Sequence, residues 1–312
     1  MNNTNGTDGS RDRAYRVSSP ASPSLPSALP SGLCALLSAF CIFCLALALT
    51  EEGGCDPAQA HAFFQKGVAQ ADSGHEEAAL RAFKRALVLD PGLVAAHYNI
   101  GVIQKRRGNL QQAVAAFERA LQAAPGAVPV YVDLGDLYTS TGRLKEAEEV
   151  FRRGTKAVPG AAILHYSLGT MLLWQEDYEK ALVSLRRATG LNPADARAHF
   201  NVGWICVAQG RWQEARSAYE RAAAADTGYA DALCALGDVH LRTGCNAEAQ
   251  SVFERALRID PKSAWAVYGL GNAYLRQGHA EEGRAVLRRF QALSEEAVEK
   301  TRREMQALPE GR

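Results

Sequence analysis

Apolar residues recur along most of this chain at the three- and four-residue spacing of an amphipathic helix, in short runs. Between residues 98 and 121, one such run ends at Gly108 and a second run begins after it. A glycine between two helical runs marks a turn, so the pattern predicts a helix, a turn and a second helix. The apolar residues of the two runs are Tyr98, Ile100, Val102 and Ile103, then Val114, Phe117, Ala120 and Leu121.

This helical hairpin is repeated seven times at a constant spacing of 34 residues, without insertion or deletion. Each copy has a glycine in its first helix, which lets the backbones approach closely, and a bulky apolar residue in its second helix. A proline follows most second helices and stops them from continuing. The glycines are Gly67, Gly101, Gly135, Gly169, Gly203, Gly237 and Gly271. The bulky residues are Phe83, Phe117, Phe151, Leu185, Tyr219, Phe253 and Leu287. The prolines are Pro91, Pro125, Pro159, Pro193 and Pro261.

The repeated pattern resembles that of the tetratricopeptide repeat (TPR) family over residues 60–297, and the segment Val130–Pro159 matches it nearly throughout. The resemblance implies an all-α fold, an α-α superhelix or TPR solenoid whose first helices line a concave groove. Three copies depart from the pattern: Glu176 replaces a turn glycine, Thr227 replaces the proline and Phe290 replaces a small residue. We expect these departures to affect single junctions and to leave the fold intact.

The amino-terminal region differs in composition from the repeats. Residues 1–31 are rich in Asn, Ser, Pro and Gly. Because this segment has too little apolar surface to form a core, we predict that it is a disordered tail. Residues 32–49 form an uncharged apolar run of 18 residues, the length at which a membrane-spanning helix becomes plausible. We therefore interpret residues 32–50 as a transmembrane signal-anchor or a signal peptide, and residues 51–59 as a short tether.

Charged residues flanking the apolar run predict its orientation. Arg11, Arg13 and Arg16 precede the run, which favours a single-pass membrane protein with a cytoplasmic amino terminus. The repeats would then be extracytoplasmic, either periplasmic or lumenal. Three alternatives stay open: secretion after cleavage near Ala48, a cytoplasmic location of the anchored repeats, and acylation of Cys55.

The overall charge gives no support for a nucleic-acid partner. Lys and Arg number 35 against 34 Asp and Glu, a net charge of +1. Every copy has an arginine near the end of its second helix, where a cation complements the helix dipole and stays solvated. We prefer this interpretation to a stripe that binds nucleic acid or anionic lipid. These arginines are Arg85, Arg119, Arg153, Arg187, Arg221, Arg255 and Arg289.

No catalytic, cofactor or metal site is predicted. The chain lacks a phosphate loop, a nucleophile elbow and a zinc-protease helix, so we expect neither an enzyme nor a small-molecule substrate. Its seven cysteines have no framework spacing. His97, His165 and His199 recur at one repeat position, but a metal needs three or four converging ligands, so we interpret them as packing residues.

The resemblance assigns one face of every first helix to the groove, and this face carries aromatic and amide side chains. A column of exposed aromatics usually serves a partner, and amides can hold the backbone of a peptide. The alternative is that the aromatics pack between adjacent repeats. The candidate partner-binding residues are Phe64, Tyr98, Asn99, Asp133, Tyr166, Trp174, Phe200, Asn201, Trp204 and Tyr268.

Together these features predict a non-enzymatic scaffold or adaptor that binds a peptide or partner protein in its groove, tethered to a membrane or exported. The alternative function is a regulatory or specificity subunit of a separately encoded modifying enzyme, such as a glycosyltransferase system. Residues 294–312 are predicted to form a capping helix and tail, because charged residues there alternate with a thin apolar seam.

Overall fold

The computed structural model describes residues 56–307, and this range contains fourteen α-helices and no strand. The predicted all-α fold class is therefore confirmed. The helices are α1 (Pro57–Asp72), α2 (Glu76–Leu89), α3 (Val94–Arg106), α4 (Leu110–Ala123), α5 (Val128–Ser140), α6 (Leu144–Ala157), α7 (Ala162–Trp174), α8 (Tyr178–Leu191), α9 (Ala196–Ala208), α10 (Trp212–Ala225), α11 (Ala230–Arg242), α12 (Asn246–Ile259), α13 (Ala264–Arg276) and α14 (Ala280–Ala307).

The predictions for the amino-terminal region fall outside this range. The tail at 1–31, the apolar segment at 32–50 and most of the tether lie outside the described residues. Between residues 56 and 307, no helix is both long enough and apolar enough to span a bilayer.

The described part of the chain divides into two compact units, which meet between Val150 and Phe151. In the first unit, α1 packs against α2 and α3 against α4, and contacts of α2 with α3 and of α4 with α5 join successive hairpins. In the second unit, the hairpins pair α7 with α8, α9 with α10, α11 with α12 and α13 with α14. Each second helix there also contacts the next first helix. The predicted hairpin is thus the building block of both units.

A glycine facing a large side chain sets the close packing of each hairpin. A Cβ atom added at Gly101 of α3 would lie 2.5 Å from Cε1 of Phe117 on α4, far inside van der Waals contact. The Phe117 ring is fully buried and has no room to withdraw. The same arrangement joins Gly67 to Phe83 and Gly237 to Phe253. The repeated glycine is therefore required because a large ring occupies the space beside the backbone.

The recurring histidines each close the loop before a first helix. Nε2 of His97 is 2.9 Å from the carbonyl oxygen of Pro91, and the rings of His165 and His199 make equivalent 3.0 Å bonds to Pro159 and Pro193. In the intervening copy, the Tyr131 hydroxyl donates to the Pro125 carbonyl at 3.0 Å. A polar ring six residues after the proline thus satisfies a carbonyl that the proline turn leaves free. Among residues 56–307, no three His, Cys, Asp or Glu side chains converge as a metal site would require.

The first departure from the repeat pattern keeps the backbone geometry of the other turns. Glu176 has φ of 62°, in the left-handed region that Gly74, Gly108 and Gly210 occupy at 77°, 74° and 70°. A residue with a Cβ atom is less stable than glycine in this region, so the conformation of Glu176 costs some conformational energy. The second helix of this hairpin still begins in register, because the Asp177 side chain accepts from the Lys180 amide at 3.3 Å and caps α8.

The second departure, Thr227, is tolerated because the residue before it makes the turn. Oδ1 of Asp226 accepts a hydrogen bond from the Gly228 amide at 2.9 Å. Asp90 makes the same contact with the Gly92 amide at 3.0 Å at a junction that has its proline. A side chain that accepts from the backbone two residues ahead stabilises a turn by itself. The helix therefore ends at Ala225 without a proline.

The third departure and the last predicted segment both belong to α14. The Phe290 ring packs on Tyr268 of α13, with ring centroids 5.2 Å apart. Residues 294–312 were predicted as a capping helix and tail, and residues 294–307 continue α14 without a break in the structure.

Candidate protein-binding surfaces

In the first unit, two predicted groove aromatics are buried within their own hairpins. Phe64 is 3% exposed, and its ring lies 5.6 Å from that of Phe83. Tyr98 is 7% exposed, and its ring lies 5.9 Å from that of Phe117. Both rings therefore contribute mainly to packing, which is the alternative that the sequence left open.

Tyr98 and Asp133, two of the predicted residues, are brought together in a polar network between adjacent repeats. The Tyr98 hydroxyl donates to Oδ2 of Asp133 at 2.6 Å, and Nζ of Lys105 donates to Oδ1 at 2.7 Å. Asn99 lies beside Tyr98 on α3 and is 6% exposed, and its Nδ2 has no hydrogen-bond partner among residues 56–307. The network fixes the carboxylate and compensates its charge, so this part of the surface is rigid and nearly neutral.

A cavity of 420 Å³ opens beside Phe64 in the first unit. His61 and Phe64 of α1 form one wall. The loop before α3 and the start of that helix supply Asp90 and Gly92–Ala95, and the loop before α5 supplies Ala124, Gly126 and Ala127. The space exists because most of these loop residues have small side chains. Its volume falls in the range that accommodates a ligand group, and its lining is mostly apolar. The cavity can therefore accept an apolar side chain of a partner.

The second unit exposes two tryptophans on its first helices. Trp174, at the end of α7, is 55% exposed, and Trp204 on α9 is 43% exposed. The ring of Tyr178, the first residue of α8, meets Trp204 edge to face at a centroid distance of 5.8 Å. Asn201 lies one turn before Trp204, and its Nδ2 donates weakly to the Thr170 hydroxyl at 3.5 Å. These indoles present large apolar surfaces to solvent, in a setting where an amide can bind a peptide backbone.

Tyr166 and Phe200 on the same helices have closer neighbours. The Arg197 guanidinium lies 5.2 Å from the centre of the Tyr166 ring, a cation–π arrangement. The Phe200 ring contacts Tyr219 at 5.4 Å and Tyr229 at 5.3 Å. Tyr166 and Phe200 are both half-buried, so they offer a partner less accessible surface than Trp174 and Trp204 do.

Tyr268 and Trp265 expose further aromatic surface on α13, at 49% and 38%. Nε1 of Trp265 donates to Oδ2 of Asp238 at 2.8 Å. Burial raises the pKa of Asp238 above its ordinary value, while the Trp265 bond and nearby Arg242 act in the opposite direction. The Asp238 carboxylate can accept a hydrogen bond from a partner or form an ion pair with one of its cations.

Lys105, Tyr178 and Asp238 are among the residues of these surfaces that were absent from the predicted set. Lys105 and Asp238 occupy positions of the first helices that the TPR resemblance already assigns to the groove, so that assignment could have found them. Tyr178 belongs to a second helix and reaches Trp204 across the hairpins. Only the tertiary packing reveals it.

Cys206 and Cys234 in the second unit are unsuited to nucleophilic chemistry. Burial raises the pKa of Cys234 to about 12, and it also raises the pKa of Cys206. Both thiols are fully buried and stay protonated near neutral pH, whereas the reactive form of cysteine is the thiolate. These residues fill the core.

Comparisons with known proteins support the repeat architecture. A family model for the cilia and flagella-associated protein 70 C-terminal domain matches residues 43–308. The structure is similar to that of YrrB, described as a TPR protein with an unusual peptide-binding site, at 27% identity and a TM-score of 0.51. That match covers 61% of this chain and 97% of YrrB.

Two more distant structures share the fold alone. A tetratricopeptide repeat protein from Parabacteroides merdae is 19% identical with a TM-score of 0.52, and the match covers 76% of this chain and 93% of that one. PilF of Pseudomonas aeruginosa is 18% identical with a TM-score of 0.54, over 64% of this chain and 89% of its own. No protein of curated function matches the chain.

Proposed function

The chain belongs to the family of the cilia and flagella-associated protein 70 C-terminal domain, a TPR family, and on this basis we propose that it is a non-enzymatic protein-interaction scaffold. The TPR fold predicted from the sequence is confirmed by this membership and by the likeness to YrrB. The proposed ligand is a peptide or an exposed segment of a partner protein, bound on the first helices.

The exposed indoles of Trp174 and Trp204 carry the proposal. A solvated tryptophan leaves much apolar area in water, and tryptophan is enriched among the residues that dominate binding energy at interfaces. The neighbouring Asn201 offers both a donor and an acceptor to a peptide backbone. The peptide-binding site named for YrrB supports the same class of ligand here.

The first unit would contribute through a different feature. Its cavity beside Phe64 suits an apolar side chain, and Asp90 at the cavity rim offers a carboxylate to a polar group. The Tyr98 and Asp133 network would keep the adjacent first-helix surface in one conformation, which lowers the entropic cost of binding.

Replacement of both Trp174 and Trp204 with alanine is expected to weaken peptide binding at least tenfold, because each indole supplies a large apolar contact. The measurement selects peptides on the full chain from a displayed library of disordered protein segments. Fluorescence anisotropy then gives the dissociation constant of the most enriched peptide.

Val183→Ala is the matched control, since Val183 is 71% exposed and apolar but lies on α8, a second helix. This variant should bind as the original chain does. Equal binding by the tryptophan double variant would contradict the proposal. Co-purification of the chain with a stoichiometric modifying enzyme would instead support the regulatory-subunit alternative.

We also propose that residues 32–49 attach the scaffold to a membrane, with the repeats on the extracytoplasmic side. The uncharged apolar run of 18 residues in the sequence supports this. If the repeats are periplasmic, protease added to spheroplasts should degrade a carboxy-terminal tag together with a verified periplasmic control. If they are lumenal, sealed microsomes should protect the tag until detergent opens them. Protection of the tag in spheroplasts whose control is degraded, or degradation of the tag in sealed microsomes whose lumenal control is protected, would contradict this location.

A further inference from the structure

Two clefts lined by equivalent repeat positions lie between second helices. The first is formed by α2 and α4 in the first unit, and the second by α8 and α10 in the second unit. Each lining residue of the second cleft lies three repeats after its counterpart in the first. We refer to them as the α2–α4 notch and the α8–α10 notch. Corresponding pairs are Lys84 with Arg186, His97 with His199, and Arg119 with Arg221.

The α2–α4 notch carries positive charge that none of its lining residues compensates. Lys84 stands on one wall and Arg119 on the other, and no lining residue is acidic. Within residues 56–307, neither side chain has a hydrogen-bond or ion-pair partner. Two cations that face a shared cleft repel each other, and an anion placed between them would relieve that repulsion.

The α8–α10 notch has a similar volume, about 740 Å³ against 720 Å³, but a weaker positive charge, and Thr189 and Gly190 stand where the first notch has Leu87 and Val88. Nη2 of Arg186 donates to Oε2 of Glu214 at 2.7 Å, and Arg211 pairs with the same carboxylate. The residue that corresponds to Glu214 in the first unit is Gln112, which carries no charge. The α2–α4 notch is therefore the stronger candidate for an anionic ligand, and the α8–α10 notch is a natural internal comparison.

The floor of the α2–α4 notch is apolar. Leu87, Pro91 and Ala123 line it, and Val88 is 77% exposed at its edge. The His97 ring forms part of the wall and is held in place by its bond to the Pro91 carbonyl. A ligand that satisfies both the walls and the floor needs carboxylates next to aliphatic side chains.

The charges of the neighbouring repeats disfavour a long polyanion. The position of Lys84 is occupied by Glu118 in the next repeat, and that of Arg186 by Glu220. A nucleic acid or a flat anionic membrane laid along the second helices would meet carboxylates between the cations. A short protein segment that enters a single notch would not.

From this geometry we propose that the α2–α4 notch is a docking site for an acidic, aliphatic segment of a partner protein. Lys84 and Arg119 each pair with a carboxylate of that segment, and Leu87 and Val88 contact its aliphatic side chains. This site goes beyond the proposed function, because it lies mainly on the second helices and leaves Trp174 and Trp204 of the first helices free for another ligand.

The probe is a fluorescein-labelled peptide in which glutamate and leucine alternate with serine spacers, titrated with the full chain. The double variant Lys84→Glu and Arg119→Glu should weaken its binding at least tenfold. The control variant is Lys66→Glu and Arg81→Glu, which makes the same change in net charge at exposed cations outside the notch. This control variant should retain most of the peptide binding. The double variant Trp174→Ala and Trp204→Ala should also retain most of it.

Two further measurements separate the apolar contribution to binding from the charged one. Val88→Ser should weaken binding, and a peptide with glutamine in place of glutamate should bind at least tenfold more weakly than the probe. Equal losses in the notch and control double variants would overturn the proposal, as would no binding of the probe by the folded chain. It would also be overturned if single-stranded RNA or phosphatidylserine vesicles bound more tightly than the peptide and lost binding in the notch variant.

Discussion

Replacement of Phe253 with alanine is expected to lower the free energy of unfolding by about 3–5 kcal/mol, the largest effect of any single substitution considered. The side chain is fully buried in the second unit. Cβ atoms added at Gly237 of α11 and at Gly269 of α13 would lie 2.5 and 2.2 Å from its Cζ. The ring therefore fills space within its own hairpin and against the next one, and its loss leaves a cavity on both sides.

Urea unfolding followed by far-ultraviolet circular dichroism measures this effect. Because neighbouring repeats stabilise one another, the variant should also broaden the transition. Arg255→Ala is the control: it changes an exposed residue of the same helix and should alter the unfolding free energy by less than about 0.5 kcal/mol. A loss below about 1 kcal/mol for Phe253→Ala would show that the ring does not join the two hairpins.

Gly101→Ala is expected to destabilise the first unit by about 1–3 kcal/mol, although alanine favours helices by about 1 kcal/mol over glycine. The added methyl group would lie 2.5 Å from Cε1 of Phe117. Because the Phe117 ring is fully buried, the backbones of α3 and α4 must separate to admit the methyl group. The same urea unfolding experiment measures the loss.

The sign of this effect should reverse in the background of Phe117→Ala. Once the ring is removed, the methyl group of Gly101→Ala has space, and the helix preference should stabilise the double variant by up to about 1 kcal/mol over Phe117→Ala alone. Gly190 is the control glycine, since a Cβ added there meets nothing within 4 Å. Gly190→Ala should be neutral or stabilising in both backgrounds. A destabilising Gly101→Ala in both backgrounds would contradict the packing account.

The repeat spacing predicts the hairpins and the glycine contacts well, because both follow from local periodicity and side-chain size. The two departures at turns keep their turn geometry for reasons that are also local. Glu176 adopts the left-handed conformation, and the Asp226 side chain accepts from the Gly228 amide and so forms the turn without a proline at position 227. What the spacing could not predict was the exposure of individual groove residues.

The aromatic residues illustrate why. Phe64 and Tyr268 occupy the same repeat position, yet one is 3% exposed and the other 49%. Phe64 packs against its hairpin partner Phe83, whereas the Tyr268 ring contacts Phe290, which stands where other copies have a small residue. Exposure therefore depends on the neighbours of each ring, and these differ from copy to copy.

The polar residues of the groove show the same limit. Asp133 was predicted as a partner-binding residue, but its carboxylate is held by Tyr98 and Lys105, which lie 35 and 28 residues earlier in the chain. No local pattern indicates such a network. The TPR resemblance places all three residues on one face, and only the structure shows that they bind one another.

Hydrogen–deuterium exchange of the full chain, with and without its most enriched library peptide, tests the central claim most directly. Binding on the first helices should slow exchange of the α7 and α9 amides around Trp174, Asn201 and Trp204, and leave the outer amides of α8 and α10 unchanged. Protection confined to the second helices, or none at saturating peptide, would contradict the account.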